Sequence, residues 1–280
     1  MRLPRRAPRH VDPYLAEAEE VMQSVARTFS VASRLLPATV RRDVVLLYLV
    51  LRTLDDLVDE RSPAAAAALG AVETWLVTSE TTTRETVILD DLANRHPLPR
   101  AAIRAFLQGM RDDLEPPAIQ TEADLDLYCY RVAGVVGELM ASILGIWNES
   151  AMSSARALGN AMQRTNILRD VDEDLANGRV YLAADTLDRF GITDLASQDR
   201  RELYRDQIAR AETLYSQGLA GVPLLIHGGR SVAAAGAMYR EILREIERGG
   251  YGADRSRSVV SRPRKALIVA RALSRPRQWS

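Results

Sequence analysis

Apolar residues along the chain recur at the three-and-four spacing of amphipathic helices, and alternation with period two is essentially absent. This pattern predicts helices over 12–36, 37–60, 64–78, 84–94, 100–114, 121–147, 150–176, 198–219, 230–248 and 263–274. The punctuation agrees. Asp12-Pro13 reads as an N-cap followed by Pro at the first helical position. Pro37 marks a break, and Thr121-Glu122-Ala123-Asp124 resembles a capping box. Asn177-Gly178 supplies a stop, and 179–191 is expected to be a loop. His227-Gly228-Gly229-Arg230 reads as a turn, since no strand precedes it and no Gly-Lys-Ser/Thr follows. No repeat or linker divides the chain. The expectation is one all-α domain over 13–274, between a flexible Arg/Pro-rich segment at 1–12 and a short tail at 275–280.

Two helices depart from the simple apolar stripe. Gln163, Asn166, Asp170 and Asp174 fall at i, i+3, i+7 and i+11, so they share one face, while Ile167, Leu168 and Val171 lie off it. Asp55 and Asp59 form a second i, i+4 pair, with Arg52 one turn before them, at the end of the apolar run 44–54. Carboxylates one turn apart repel unless water screens them or a cation sits between them. A single such pair is most simply a solvated face. A second pair closing a buried helix favours a site for hard cations, which take oxygen ligands and complete their coordination with substrate phosphate. A calcium loop is excluded: counted from Asp170, positions 6 and 12 hold Leu175 and Tyr181 instead of Gly and Glu. Gly134, Gly137 and Gly145 interrupt the helix over 121–147, which points either to close helix packing or to a ligand pressed on the backbone.

Composition changes this picture little. The 280 residues are 47% hydrophobic and 26% charged, with zero net charge, which gives no bulk basic footprint for nucleic acid. Lys265 is the only lysine. The single Cys129 excludes an internal disulfide and a cysteine zinc site. No stretch looks long and clean enough to span a bilayer, the best candidate, 132–147, being short and interrupted by Glu138. The expectation is a cytoplasmic enzyme. Its Arg-rich ends offer a peripheral membrane contact, although solvated tails are the plainer reading.

These residues carry a resemblance to the squalene/phytoene synthase family that runs nearly end to end. The matching stretches are Thr28-Phe29-Ser30 through Leu35-Leu36-Pro37, Tyr48 with Arg52 and 55–59, and Gly109-Met110-Arg111-Asp112-Asp113-Leu114. They continue with 128–137 (Tyr-Cys-Tyr-Arg-Val-Ala-Gly-Val-Val-Gly) and with 163–174 followed by Gly178-Arg179-Val180-Tyr181-Leu182. The resemblance is strongest to bacterial phytoene synthases. It implies an isoprenoid-synthase helical bundle around a central apolar cavity. It also implies head-to-head condensation of two prenyl diphosphates through a cyclopropylcarbinyl diphosphate, with downstream isoprenoid-modifying enzymes as partners. In that reading Asp55, Asp59, Asp170, Asp174 and Asn166 hold Mg²⁺, with Mn²⁺ as an alternative, and Gln163 orients ligands. Arg52 and Arg169 hold phosphate oxygens, the plainer alternative being ion pairs with neighbouring aspartates. Thr28, Val132 and Gly137 belong to the substrate-binding set. Phe29, Tyr48 and Tyr128 offer ring faces to positive charge, Tyr128 also serving proton or diphosphate handling, with plain core packing as the alternative.

Some positions depart from the family's pattern. Ala26 stands where many members carry a hydroxyl residue, Val50-Leu51-Arg52 is more squalene-like, and Ala183-Ala184 replaces a frequent Pro. Ser33 and Val45 are small where members using a shorter substrate carry aromatics, which favours geranylgeranyl diphosphate and phytoene. Squalene or presqualene diphosphate formation from farnesyl diphosphate is the alternative, and only squalene formation calls for NADPH. A cyclase or prenyltransferase of the same fold acting on one prenyl diphosphate, and a non-catalytic helical module, are the competing classes.

Overall fold

The computed structural model describes residues 11–25, 27–115 and 118–274, except the side chains of 25, 27, 28, 262 and 272–274. The segment 1–10, Ala26 and the tail 275–280 lie outside the described residues, as does the side chain of Thr28. The helices are α1 (Leu15–Val25), α2 (Arg27–Ser33), α3 (Ala38–Asp59), α4 (Ala65–Thr78), α5 (Arg84–Arg95), α6 (Arg100–Leu114) and α7 (Glu122–Cys129). They continue with α8 (Val135–Leu144), α9 (Ser150–Ala176), α10 (Ala184–Arg189), α11 (Arg201–Ala220), α12 (Gly229–Arg248) and α13 (Arg262–Ser274). Among the described residues there is no strand, only one isolated antiparallel bridge between Ile146 and Leu225. The all-α expectation holds.

Two packed cores flank the centre. One gathers α3 with α4, α5, α6 and α8 around Leu46, Leu47, Leu54, Trp75 and Leu89, all nearly or fully buried. The other gathers α7, α9, α11 and α12 around Leu168, Leu203, Tyr215 and Leu243. Each fully buried Leu contributes roughly 1.5–3 kcal/mol from leaving water, which explains why these apolar stripes fix the arrangement. Helix α9 is the central strut, packing on α7, α8, α11 and α12.

Several local expectations need correction. Asp12 does not cap a helix. It lies within a 3₁₀ turn, Asp12–Tyr14, and its carboxylate accepts a hydrogen bond from Arg42 at 2.7 Å. Of the helix expected over 12–36, the described residues are helical over Leu15–Val25 and Arg27–Ser33, and the chain turns at 34–36. The loop expected over 179–191 contains α10, where the Ala184 N–H donates to the Ile119 carbonyl at 3.0 Å, a bond a Pro would forfeit. Thr121 does cap α7, with the Asp124 carboxylate accepting from the Thr121 N–H at 2.8 Å. Asn177 caps α9, and Gly178 follows at φ +72°.

The helix expected over 121–147 is divided by a π-helical turn, Tyr130–Gly134, and stops at Leu144 because Gly145 takes φ +76°. The run Glu122–Leu144 is nonetheless 23 residues long, and its most apolar 18 residues reach a mean hydropathy of 1.4, long and apolar enough by composition to cross a membrane, contrary to expectation. Over half of that apolar stretch is buried inside the protein. Its glycines serve helix packing: a Cβ on Gly137 would lie 2.2 Å from the Ala155 carbonyl oxygen, and one on Gly134 would lie 2.4 Å from Asn160 Oδ1. Reciprocally, a Cβ on Gly159 of α9 would lie 2.3 Å from the Ala133 oxygen. This mutual approach brings α8 and the π-turn directly against α9.

Candidate active site

Between the two cores lies an apolar cavity of about 280 Å³, walled by α2, α3, α8, α9, α11 and α12 with the π-turn. Along α9 its lining residues follow helical spacing: Ala151, Ser154, Ala155, Leu158, Gly159, Met162, Gln163 and Asn166. The stripe begins with small and apolar side chains and ends with two amides. Continued by one and two turns, the same face reaches Asp170 and Asp174. Helix α3 repeats the gradient, with Val44 and Tyr48 on the cavity wall, then Arg52, then Asp55 and Asp59. Each of these helices therefore runs from an oily interior to an acidic terminus.

The two acidic termini meet at one mouth. Arg179, whose N–H donates to the Asp174 carbonyl at 2.8 Å, places its guanidinium 3.9 Å from the Asp59 carboxylate. A third acid joins from α6: Asp113 Oδ1 accepts a hydrogen bond from the Tyr128 hydroxyl at 3.1 Å. Asp59, Asp113 and Asp174 all sit at helix C-termini, where the backbone dipole already adds negative potential. Burial, reinforced by the Asp59 carboxylate, pushes Asp55 up to about 7. Burial pushes Asp113 up to about 6 against the opposing Tyr128 hydrogen bond, and burial with the adjacent Asp170 carboxylate raises Asp174 to about 6.

The sequence-derived candidates fall into distinct positions. Phe29, Ser33, Tyr48, Val132, Gly137, Gln163 and Asn166 line the cavity. Val45 does not; it is turned into the core beside α3, and its neighbour Val44 faces the cavity instead. Tyr128 is not part of the cavity wall either. It sits below the acidic mouth, its ring stacked on Tyr181 with centroids 5.0 Å apart. Burial drives its phenol pKa far up, so it holds its proton and donates. Arg52 and Arg169 are both ion-paired with neighbouring aspartates. Arg52 bonds Asp55 at 3.0 Å and also Asp56, while Arg169 Nε donates to Asp170 at 2.8 Å.

Other residues of the site were not singled out. Tyr239 on α12 lines the cavity and sits 5.4 Å from Phe29 between ring centroids. Arg257, in the segment before α13, donates to Asp170 at 2.9 Å. Asp113, Arg179 and Tyr181 were quoted only within longer motifs. Their signal is contact between segments far apart in the chain, which spacing along one helix does not carry.

The donor set fits divalent cations that share their coordination with a ligand. Asn166 Oδ1 is buried at the end of the α9 stripe without a hydrogen-bond partner, and the raised carboxylates lack sufficient positive charge nearby. Among the described residues no three His, Cys, Asp or Glu side chains converge on a single point. Ions held here would take further oxygens from phosphate or water, as Mg²⁺ commonly does.

The sequence profile of the family described as squalene/phytoene synthase matches residues 22–264. Tomato (Solanum lycopersicum) phytoene synthase 2 is 35% identical, covering 93% of this chain and 91% of its own. The phytoene synthase of Thermus thermophilus is 34% identical, covering 95% and 94%. A crystal structure of a dehydrosqualene synthase with ligand superposes with a TM-score of 0.86 at 27% identity, over 94% of this chain and 96% of that one. Spanning the fold, the cavity and most of the sequence, these matches show that the chain belongs to the squalene/phytoene synthase family, prenyltransferases that join prenyl diphosphates head to head.

Proposed function

We propose that this enzyme joins two molecules of geranylgeranyl diphosphate into phytoene, by way of a cyclopropylcarbinyl diphosphate and with Mg²⁺. The observation that carries the proposal is the α9 face, which grades from apolar wall through amides to carboxylates and so matches a molecule with a hydrocarbon tail and an anionic head. The cavity flank from Ala151 to Asn166 is ~22 Å long at the helical rise of 1.5 Å per residue. That length and the small residues Ser33 and Val44 suit the longer prenyl chain.

Asp55, Asp59, Asp170, Asp174 and Asn166 are the residues that would hold Mg²⁺, which supplies charge neutralisation for the departing diphosphate. Arg52 and Arg169, beside these carboxylates, would be the guanidinium groups available to phosphate oxygens, and Gln163 would orient the head group. The C1–O bond of one substrate breaks with its electron pair leaving on diphosphate. The allylic cation is then held in a space closed to water, where the rings of Phe29, Tyr48 and Tyr239 offer their faces. Its C1 is captured by the C2=C3 double bond of the second substrate, and loss of a proton from that same C1 closes the cyclopropane; departure of the second diphosphate, rearrangement of the resulting cation and loss of one more proton give the C40 hydrocarbon.

The test is parallel incubation with farnesyl and geranylgeranyl diphosphates, with Mg²⁺ and with or without NADPH, followed by mass analysis. The expected result is a C40 hydrocarbon that needs no NADPH. A C30 product alone would overturn the chain length, and a C15 or C20 hydrocarbon from one substrate would overturn condensation. Asp55→Asn and Asp170→Asn should each nearly abolish turnover while helical circular dichroism is kept.

A further inference from the structure

The end of the apolar cavity opposite the acids is closed where α8 stops and the approach to α12 begins. There the chain at 145–147 lies beside the chain at 225–227, joined by the Ile146–Leu225 bridge. Trp147 N–H donates to the Leu224 carbonyl at 3.0 Å, Ile226 N–H to Gly145 at 2.9 Å and His227 N–H to Leu144 at 3.0 Å. This floor shows different residues to its two sides. Leu144 and Leu225 line the apolar cavity. Gly145, Ile146, Ile226 and His227 line a second cavity, of about 480 Å³, behind them. The neighbouring helices pass both spaces. On α3, Val44 faces the first cavity and Val40, one turn nearer the helix start, the second. On α9, Ala151 faces the first and Met152 the second. The lining changes character at this level, for the second cavity is also bounded by Thr39, Ser142 and an Asp43–His96 pair at 2.7 Å. A hydrocarbon gains little by displacing water from such polar groups. The apolar channel therefore ends at the floor.

We propose that Leu225, with Leu144 beside it, is the stop that sets the longest prenyl chain the cavity accepts. This rests on the prenyl diphosphate reading of the site. A head group at Asn166 and the carboxylates sends its tail along α9 towards Ala151, and the tail meets the floor at the end of that path. Leu144 has little freedom to yield, since it packs so closely on Gly228 that a Cβ there would lie 2.9 Å from its Cδ2. Leu225 stands on extended backbone, at φ −81° and ψ 135°, and only 7% of it is exposed. A side chain on a helical wall narrows the cavity, whereas one on the floor shortens it. Replacing Leu225 with Ala removes three carbons and leaves room for about as many of the tail, while Phe reaches further in. Ile226, the next residue, turns to the second cavity. Trimming it disturbs the same segment without deepening the pocket.

The experiment is calorimetric titration of the full chain, with Mg²⁺, by unreactive thiolodiphosphates carrying C15, C20 and C25 prenyl chains, in which sulfur replaces the bridging oxygen. The wild type is expected to bind the C20 analogue more tightly than the C25. Leu225→Ala should raise affinity for C25 relative to C20 by up to about fiftyfold, three carbons at the transfer free energy of a CH₂ group. Leu225→Phe should lower affinity for C20 relative to C15. Ile226→Ala should keep the wild-type order and ratios. Leu144→Ala repeats the gain from the other half of the floor, and decides the matter if thermal unfolding shows that Leu225→Ala does not fold. Unchanged ratios in the floor variants would overturn the proposal, because tails would then not reach the floor. An equal shift in Ile226→Ala would overturn it too, by tracing the effect to a loosened segment. Binding is read here without turnover. Length-ordered binding with no C40 product would refute the proposed reaction alone, and condensation with ratios indifferent to position 225 would refute the stop alone.

Discussion

Replacing Gly by Ala at two helical positions should have opposite effects, and the difference measures how closely α9 meets the π-turn. At Gly70, inside α4, an added Cβ finds nothing within 4 Å. The substitution keeps only the helix-propensity gain of ~1 kcal/mol, which for a chain of this size raises Tm by about 2–4 °C. At Gly159 the same gain is opposed. The new Cβ lies 2.3 Å from the Ala133 oxygen and 2.9 Å from Gly134 Cα, both backbone atoms with no rotamer to move. Real Cβ atoms keep at least 3.0 Å, so α9 and the π-turn must part by ~0.7 Å. Overpacking of this kind costs about 1–3 kcal/mol. The clash therefore wins, and Gly159→Ala is destabilising by up to about 2 kcal/mol net. The shift also moves Gln163 and Asn166, one and two turns along. Since a misplacement of ~1 Å costs about a hundredfold in rate, kcat should fall by a factor of tens. Thermal unfolding and steady-state turnover of the two variants side by side make the assay. Should Gly159→Ala gain stability as Gly70→Ala does, with kcat intact, the close approach is refuted.

Other expectations concern charge and cavity shape. Asp55, Asp113 and Asp174 have pKa values raised to about 7, 6 and 6, so between about pH 4 and pH 7 the folded state keeps protons that the unfolded state has lost. The stability of the metal-free protein should thus fall as pH rises through that window, and Mg²⁺ affinity should rise through it as protons leave; urea melts and calorimetric titration at pH 5 and pH 8 check both. Arg200, only 1% exposed, is held by Asp172 at 2.8 and 3.0 Å. Asp172→Ala strands that buried cation and should cost about 3–5 kcal/mol in denaturant unfolding; a loss under 1 kcal/mol would show the pair to be dispensable. Ser154→Phe fills the cavity far from the acidic mouth and removes room for one isoprene unit. Five carbons at ~0.8 kcal/mol each predict up to about a thousandfold loss of kcat/KM on a C20 substrate, with the C15 substrate spared.

The helices and both acidic pairs were legible because each depends on spacing within a single helix. Asp170 and Asp174 cannot avoid sharing a face with Gln163 and Asn166, whatever the tertiary packing. What was not legible depends on where the chain turns or on what meets across it. Val45 and Val44 differ by one position, hence by 100° of helix rotation, and only the packing of α3 decides which one faces the cavity. The π-turn has no residue signature in 130–134, yet it sets how the helix over 122–144 presents Val132 to the cavity. Tyr239 and Arg257 reach the site from the other end of the chain. Asp12 had the composition of a cap but found Arg42 instead, a tertiary partner outbidding a local one.

Because the apolar cavity wall and the acids beyond it sit on one uninterrupted helix, α9 works as a ruler with fixed graduations. Inserting or deleting one residue between Ala151 and Asp174 would swing the acids 100° away from the pocket below them. Length variation in this segment is thereby forbidden except in near-whole turns. A change in the length of molecule the pocket takes is then left to side chains swapped at constant count, with bulk at the pocket's far end as the adjustable quantity.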